Sequence, residues 1–344
     1  MAPPPLIDLG SHRGGGNGRK GTDRQMVFKK LLGALGIGGP SVDTVLHHPG
    51  TRPGEVLTGE VRITGGSQAV TIEHVALGLV TRIETEHGGH DGDAFVEFHR
   101  VVVAGRFELA EGEDRVIPFE FPVPLEAPVT EFYGRHLHGM TLGVRTELSV
   151  AKAVDKGDLD PVSVHPLPAQ ERVLEAFSRL GFHFKHADLE HGRLHGVHQE
   201  LPFYQEIEFH PPGQYAGRVN EVELTFVAGP HGLDVVLEAD KRGGFFTPSH
   251  DAFGRFHAGY EEAEHIDWAA RIDEWLAQVA ERRHAMPHGH HQHGSHDHHH
   301  GHHGAGMGGV IAGAAAGAAA GIVGGMVLGE VVDEVGDFFE GDEG

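Results

Sequence analysis

The chain has no cysteine in 344 residues. That removes disulfide scaffolds, thiol nucleophiles, thiolate zinc sites and iron–sulfur clusters at once. It also agrees with a reducing compartment. Basic residues are scarce: 27 Lys and Arg stand against 50 Asp and Glu, for a net charge of −23. A chain this acidic repels phosphate unless its basic residues are gathered into a patch, and none is visible, so a nucleic-acid partner is not expected. Enzyme signatures are missing as well. There is no GxSxG, HExxH or P-loop, and no GxGxxG between a strand and a helix. Carboxylates are plentiful, but nothing singles out a matched acid and base. No catalytic residue is assigned and no cofactor is required.

What is abundant is equally unusual: 52 Gly and 31 His. Residues 1–25 begin Met-Ala-Pro-Pro-Pro and continue in Gly, Arg, Lys and His without an apolar period. They lack the apolar run of a signal peptide. Met26 opens a more protein-like stretch, so 1–25 reads as a disordered leader, either untranslated or an N-terminal arm.

From about Pro40 the hydrophobic period becomes two. Leu57, Val61 and Ile63 alternate with polar neighbours, and so, after a slip, do Ile72, Val75, Leu77 and Leu79. Phe95 to Val103, Arg115 to Phe121 and Met140 to Val150 are further strand-like runs, separated by Gly65-Gly66, Gly88 to Gly92, Glu111 to Asp114 and Pro122 to Pro128. Short strands at this spacing read as a β-sandwich. Asp155 to Pro168 carries three prolines and no period, and reads as a linker. Val173, Phe177 and Leu180, with Gly181 as a stop, predict one short helix. Strand patterns then return at Phe182 to Phe184, Val197 to Leu201, Gln205 to Phe209, Glu221 to Val227 and Leu233 to Glu238. Between Glu261 and Arg283, Trp268, Ile272, Trp275, Leu276 and Val279 share one helical face, as in a helix docked on a sheet or awaiting a partner.

The expected fold class is therefore mainly β. Two tandem β-sandwiches, 26–160 and 161–243, are followed by an amphipathic helix region at 244–285 and a low-complexity C-terminal tail. That tail divides into a His-rich spacer (286–303), a glycine-zipper segment (304–329) and an acidic tail (330–344).

Several stretches resemble known sequences. Pro53-Gly54-Glu55-Val56-Leu57-Thr58-Gly59-Glu60-Val61 resembles the opening of arrestin-type domains, and Ile117 to Pro124 a later arrestin-type strand ending in a proline bend. More specifically, His136-Leu137-His138-Gly139-Met140-Thr141-Leu142 onward to Pro161, with Leu201-Pro202-Phe203-Tyr204-Gln205-Glu206-Ile207-Glu208-Phe209, is similar to the bacterial sporulation-control protein family, whose fold is arrestin-like. Phe28 to Leu32 and Val42 to Val45 fit the start of that family. The likeness covers about Met26 to Lys241. It implies a non-enzymatic, cytoplasmic adaptor or scaffold in the control of sporulation, cell cycle or stress response. Such an adaptor would bind protein partners through sandwich edges or the interdomain groove, and the family brings no catalytic residues to carry over.

Two tail segments offer alternatives. His288, His290, His291, His293, His296, His298, His299, His300, His302 and His303 crowd sixteen residues. Their imidazoles suit Zn, Ni or Cu, so a metal-handling protein is one reading and a solvated spacer the other. Gly309, Gly313, Gly317, Gly321, Gly325 and Gly329 recur every fourth residue in an uncharged 26-residue segment. On a helix they would line a groove for close backbone approach, which suits homo-oligomer formation or membrane association through 304–329. Against it, each glycine costs an aqueous helix about 1 kcal/mol relative to alanine. Finally, His183, His186, Asp188, Glu190, His191, His195 and His198 lie close in sequence. In a chain this rich in histidine they read as a chance cluster, while His136 and His138 read as neighbours on one strand face with a structural or partner-facing role.

Overall fold

The computed structural model describes residues 38–87, 90–239 and 253–285, without side chains for 85–93 and 282–285. The first half holds β1 (Ser41–Leu46), β2 (Gly50–Thr51), β3 (Val56–Thr64), β4 (Val70–His87), β5 (His90–Ala104) and β6 (Phe107–Leu109). It continues with β7 (Asp114–Pro122), β8 (Glu131–Phe132), β9 (Arg135–His136), β10 (Leu142–Val150), β11 (Lys156–Pro161) and β12 (Ser163–Val164). After helix α1 (Pro168–Leu180) come β13 (His183–His191), β14 (Phe203–His210), β15 (Val222–Gly229), β16 (Gly232–Ala239) and β17 (Phe253–Ala258). Helices α2 (Tyr260–His265) and α3 (Trp268–Ala285) follow.

The chain is mainly β, as its period-two patterning predicts. Strands β1, β3 and β7 form an antiparallel three-stranded sheet. Along β3, Leu57, Gly59, Val61 and Ile63 are buried while their neighbours are more open, the alternation a half-buried strand requires. That sheet packs on a second one, ordered β11-β10-β4-β13-β14-β15-β16-β17, with β5 and β6 on the other edge of β4. The turn at Pro53-Gly54 needs its glycine: φ is +79°, and a Cβ would lie 2.8 Å from the Leu125 side chain. The slip in the β4 pattern between Ile72 and Val75 has a physical cause: the β4–β10 register shifts there, Val150 pairing with Ile72 and Ser149 with His74, which leaves Glu73 as an extra residue.

In the second half, α1 begins where Gln170 Oε1 accepts the Leu167 backbone N–H at 2.8 Å. It ends at Gly181 with φ +86°, the left-handed stop expected of that residue. Phe177 on α1 meets Phe182 and Phe209 with ring centroids 4.4 and 4.6 Å apart. Helix α3 is docked as its pattern suggests, with Trp268, Ile272, Trp275, Leu276 and Val279 all buried. Gly254 leaves room for it, because a Cβ there would come 2.6 Å from the Trp275 ring. Among the described residues no helix is long and apolar enough to cross a membrane.

Four local expectations are corrected. The stretch read as a linker contains β11 and β12. β11 pairs along β10, but its residues are only half-buried, so no apolar period marks it. Val197 to Leu201 is a loop, held by the buried Gln199 amide, whose Nε2 donates to Gly192 O, Leu201 O and Phe203 O. The region assigned to an amphipathic helix starts with β17, which pairs with β16, and its helix breaks at Ile266-Asp267. The punctuation at Gly88 to Gly92 is narrower than expected: β5 begins at His90 and Gly92 pairs with Thr85. The leader, the His tract and the glycine-periodic segment lie outside the described residues.

One hydrophobic cluster runs from Val42 to Ala280, so the halves share a core. At their contact Gln205 makes a two-way clasp on Val129, whose N–H donates to Oε1 at 3.0 Å while Gln205 Nε2 donates to Val129 O at 2.7 Å. Replacing Gln205 by Leu leaves two buried backbone groups unpaired and is expected to cost about 2–4 kcal/mol in a denaturant titration. Asp160 should make the fold pH-sensitive. Burial, then the nearby Asp158 and Asp43, push its carboxyl up to about 8. The folded chain thus keeps a proton that the unfolded chain loses near pH 4, so this contribution to stability is complete in acid and fades as pH rises through about 8. Asp160→Asn should flatten that loss when denaturation midpoints are compared at about pH 5 and about pH 9.

Candidate functional site

The second-half sheet has two unlike faces. Ala187, Ile207, Leu224 and Leu237 are register partners across β13 to β16 and share the face that also carries Gly254, against which Trp275 lies. The opposite face is acidic. His186, Glu208, Glu223 and Glu238 follow one another across neighbouring strands, and Asp188 stands directly opposite Glu206. Like charges in direct register repel, so this face requires protons or cations to be stable.

Part of that requirement is met by Lys185. Its Nζ lies 2.6 Å from Glu208 Oε2 and also bonds Glu221. Burial opposes its charge, but the hydrogen bonds to Glu208 and Glu221 win and hold the ammonium protonated. In the first half, buried Glu97 on β5 is treated similarly. Arg100 Nη1 lies 3.2 Å from it and Arg145 Nη1 3.8 Å, while Arg100 also pairs with Glu147 at 2.8 Å. Gly78, opposite, has no side chain to obstruct the Glu97 carboxylate.

The third group sits at the seam between the halves. Glu84 of β4, His186 and Asp188 of β13 bring ligand-type atoms within 4.8 Å of one another, and so do Asp188, Glu190 and Glu206 of β14. Asp188 belongs to both sets. Its Oδ1 is buried without a hydrogen-bond partner. Burial, then Glu206, Glu84, Glu208 and Glu190, push its carboxyl up to about 8. His186 is pushed the other way, towards the neutral imidazole, by burial and then by His138. Carboxylates beside a neutral imidazole are oxygen and nitrogen donors suited to a divalent cation.

The seam is built by the loop after β9. Ala187 N donates to His138 O at 3.0 Å, Arg82 Nη2 donates to Gly139 O at 3.1 Å, and Thr81 Oγ1 donates to Thr141 O at 2.6 Å. His138 stacks edge-on against His186, centroids 5.2 Å apart. His136 and His138 therefore do not share a strand face: His136 ends β9 and hydrogen-bonds Met140 O at 2.7 Å, whereas His138 lies in the loop.

Of the histidine-rich stretch read as a chance cluster, the structure gathers only His186, Asp188 and Glu190. His183, His191, His195 and His198 are exposed and belong to no such group among the described residues. Glu84 was missed because it comes from β4 in the other half of the chain, and Glu206 because only the β13–β14 register sets it opposite Asp188. The available signal was charge at alternate positions, Glu206 and Glu208, in a strand whose other residues from Phe203 to Phe209 are buried.

Gly139 is the tightest point of the seam. Its φ is +94°, and a Cβ would lie 2.1 Å from Ala187 O and 2.3 Å from the His186 ring. Gly139→Ala is expected to lose about 1–3 kcal/mol from backbone strain alone, and more from the clash. Thermal unfolding measures the loss, and exchange of the Ala187 amide should rise with it.

Comparison with known proteins now connects these features. The family described as SpoOM protein matches residues 28–243. The Bacillus subtilis (strain 168) sporulation-control protein spo0M is 35% identical over 216 residues, covering 62% of this chain and 81% of that protein. The crystal structure of Spo0M from Bacillus subtilis superposes with a TM-score of 0.62 at 31% identity, over 71% of this chain and all of that one. The matched region contains the whole seam, from Glu84 and the His136–Leu142 loop to Glu206, and the chain belongs to the SpoOM family of sporulation-control proteins.

Proposed function

We propose that this protein is a non-enzymatic adaptor in the control of sporulation or a related stress response, binding protein partners in extended form along a free sheet edge. The observation that carries this reading is β5. It spans His90–Ala104 and, among the described residues, pairs with β4 on one edge only. Val102 on it is 58% exposed, the apolar contact that an added strand would cover. A long unpaired edge is a template for β-addition, in which backbone hydrogen bonds supply affinity and alternate side chains supply specificity. The β7 margin of the three-stranded sheet contains Pro118 and Pro122, which cannot donate to an added strand. Family membership supports the sporulation setting, and the partner-binding role rests on the strand.

Where the halves meet, Glu126 to Pro128 face Gln199, Phe203 and Phe226 across a small depression whose lining is mostly buried, so it offers a partner less surface than the β5 edge.

A test uses Val102→Lys, which places a charge on the β5 edge at an exposed position and leaves the core intact. Sporulation is scored as heat-resistant colonies in the native host lacking its own copy. The expected result is restoration by the unaltered chain and a drop of roughly tenfold with Val102→Lys at equal protein level. A photo-cross-linking residue at position 102 should also give one discrete adduct that the same residue at Val56 does not. Full restoration by Val102→Lys, with no adduct at 102, would rule out the β5 edge as the partner site.

A further inference from the structure

We propose that His99 is a pH switch on the β5 edge: on gaining a proton in mild acid it opens the contact between β5 and β7 and loosens the strand that a partner would extend. The effect on a partner rests on the β5 reading; the switch itself rests on the strand's own geometry. A bulge brings His99 to its place. Along the β4–β5 ladder Val80 pairs with Glu97 and Leu79 with His99, which leaves Phe98 as an extra residue. Two positions apart on a regular strand, Glu97 and His99 would share a face. The bulge separates them. Glu97 lies over Gly78 on the outer face, whereas His99 turns inward and meets the ring of Phe121 on β7, centroids 5.2 Å apart. Phe121 is fully buried, so the imidazole sits where the margins of the two sheets close on each other.

Only part of the ring is served there. The Pro122 carbonyl acts on it as a hydrogen-bond acceptor, but Nε2 is buried with no hydrogen-bond partner. Of the buried side-chain atoms without a hydrogen bond among the described residues, His99 Nε2 alone belongs to a base. Its cross-strand neighbour on β4 is the buried Leu79. The charged groups of the surrounding strands are engaged elsewhere. Glu97 and Arg100 of β5 pair with each other, and His74 of β4 bonds Glu147. On β7, Glu120 is exposed and Arg115 pairs with Glu113. Burial therefore outweighs the Pro122 carbonyl and holds the ring towards its neutral form.

When the margin opens, the imidazole meets water and titrates near its ordinary 6.5; while it is closed, the ring takes up a proton only at lower pH. Above that value the closed margin is unaffected. Each step of acid below it shifts the balance towards the open form, because a sealed cationic N–H finds neither water nor an acceptor. β5 then frays, and an added strand loses the backbone row it would pair with.

The full-length chain is followed by hydrogen exchange, corrected for intrinsic rates, at about pH 7.5 and about pH 5.5, and His99 is titrated through its imidazole NMR signals. The expected result is an imidazole midpoint below 6.5 and, in acid, roughly three- to tenfold more opening of the β5 amides that pair with β4, measured against those of β16. His99→Phe keeps a ring against Phe121 but cannot titrate, and should remove the change. Should that larger ring prevent folding, His99→Gln makes the same test. The cross-linked adduct at position 102 should weaken in acid for the unaltered chain and not for the variant. Equal exchange at both pH values, or the same acid-induced rise without the imidazole, overturns the switch. An adduct equally strong at both values, with β5 opening in acid, overturns the effect on the partner alone. No adduct at either pH counts against the β5 reading, and the exchange data still decide the switch.

Discussion

Strand β4 is the constraint on which the rest of the molecule depends. Over Val70–His87 it pairs with β10 and then meets β13 on one edge, while β6 and β5 occupy the other. One strand therefore belongs to both halves, and its register fixes theirs. Because side chains alternate across a strand, placing the apolar set of β13 to β16 toward α1 and α3 commits the charged set to the opposite face. The acidic face is thus a direct consequence of how the helices are docked.

That face also shows how a fold can accommodate carboxylates it has brought together. Burying a charge is costly unless it is paired and hydrogen-bonded. Glu97 is paired with arginines, and Glu208 with Lys185, each supplied by the same sheet. Asp188 instead lies among other carboxylates beside a histidine at the junction of the halves. The family-like sequence around His136–Leu142 and Leu201–Phe209 converges there: the first supplies the loop that closes the seam, the second supplies Glu206 and the Gln205 clasp. Strand β5 and the seam are both tied to the same long strand, β5 along one edge of β4 and the seam through Glu84 on its other edge.

Much of the fold was legible in the order of residues, because alternation and helical spacing are local signals. β3, β7, β10 and α1 carry strong patterns and appear where those patterns lie. The face of α3 was legible too, since five apolar residues at helical spacing have few other uses. What was missed had weak local signal. β11 is half-buried on both faces, so no period distinguishes it from a linker. β17 lies next to a strong helical pattern that masked it. The loop at Val197 to Leu201 has an apolar residue at each end but is organised by one buried glutamine, a long-range polar effect that periodicity cannot register.

By itself, the sequence determined the class of the protein: mainly β, free of cysteine chemistry, strongly acidic, with a docked helix and with motifs that place it in its family. Those properties depend on composition and on neighbours within a few positions of one another. Only the tertiary structure decided the site. It separated His186, Asp188 and Glu190 from the surrounding histidines and joined them to Glu84 and Glu206, more than a hundred residues apart in the chain. The physical reason is that strand pairing, register and the bulges in β4 set which side chains face one another, and those are outcomes of packing rather than of local sequence.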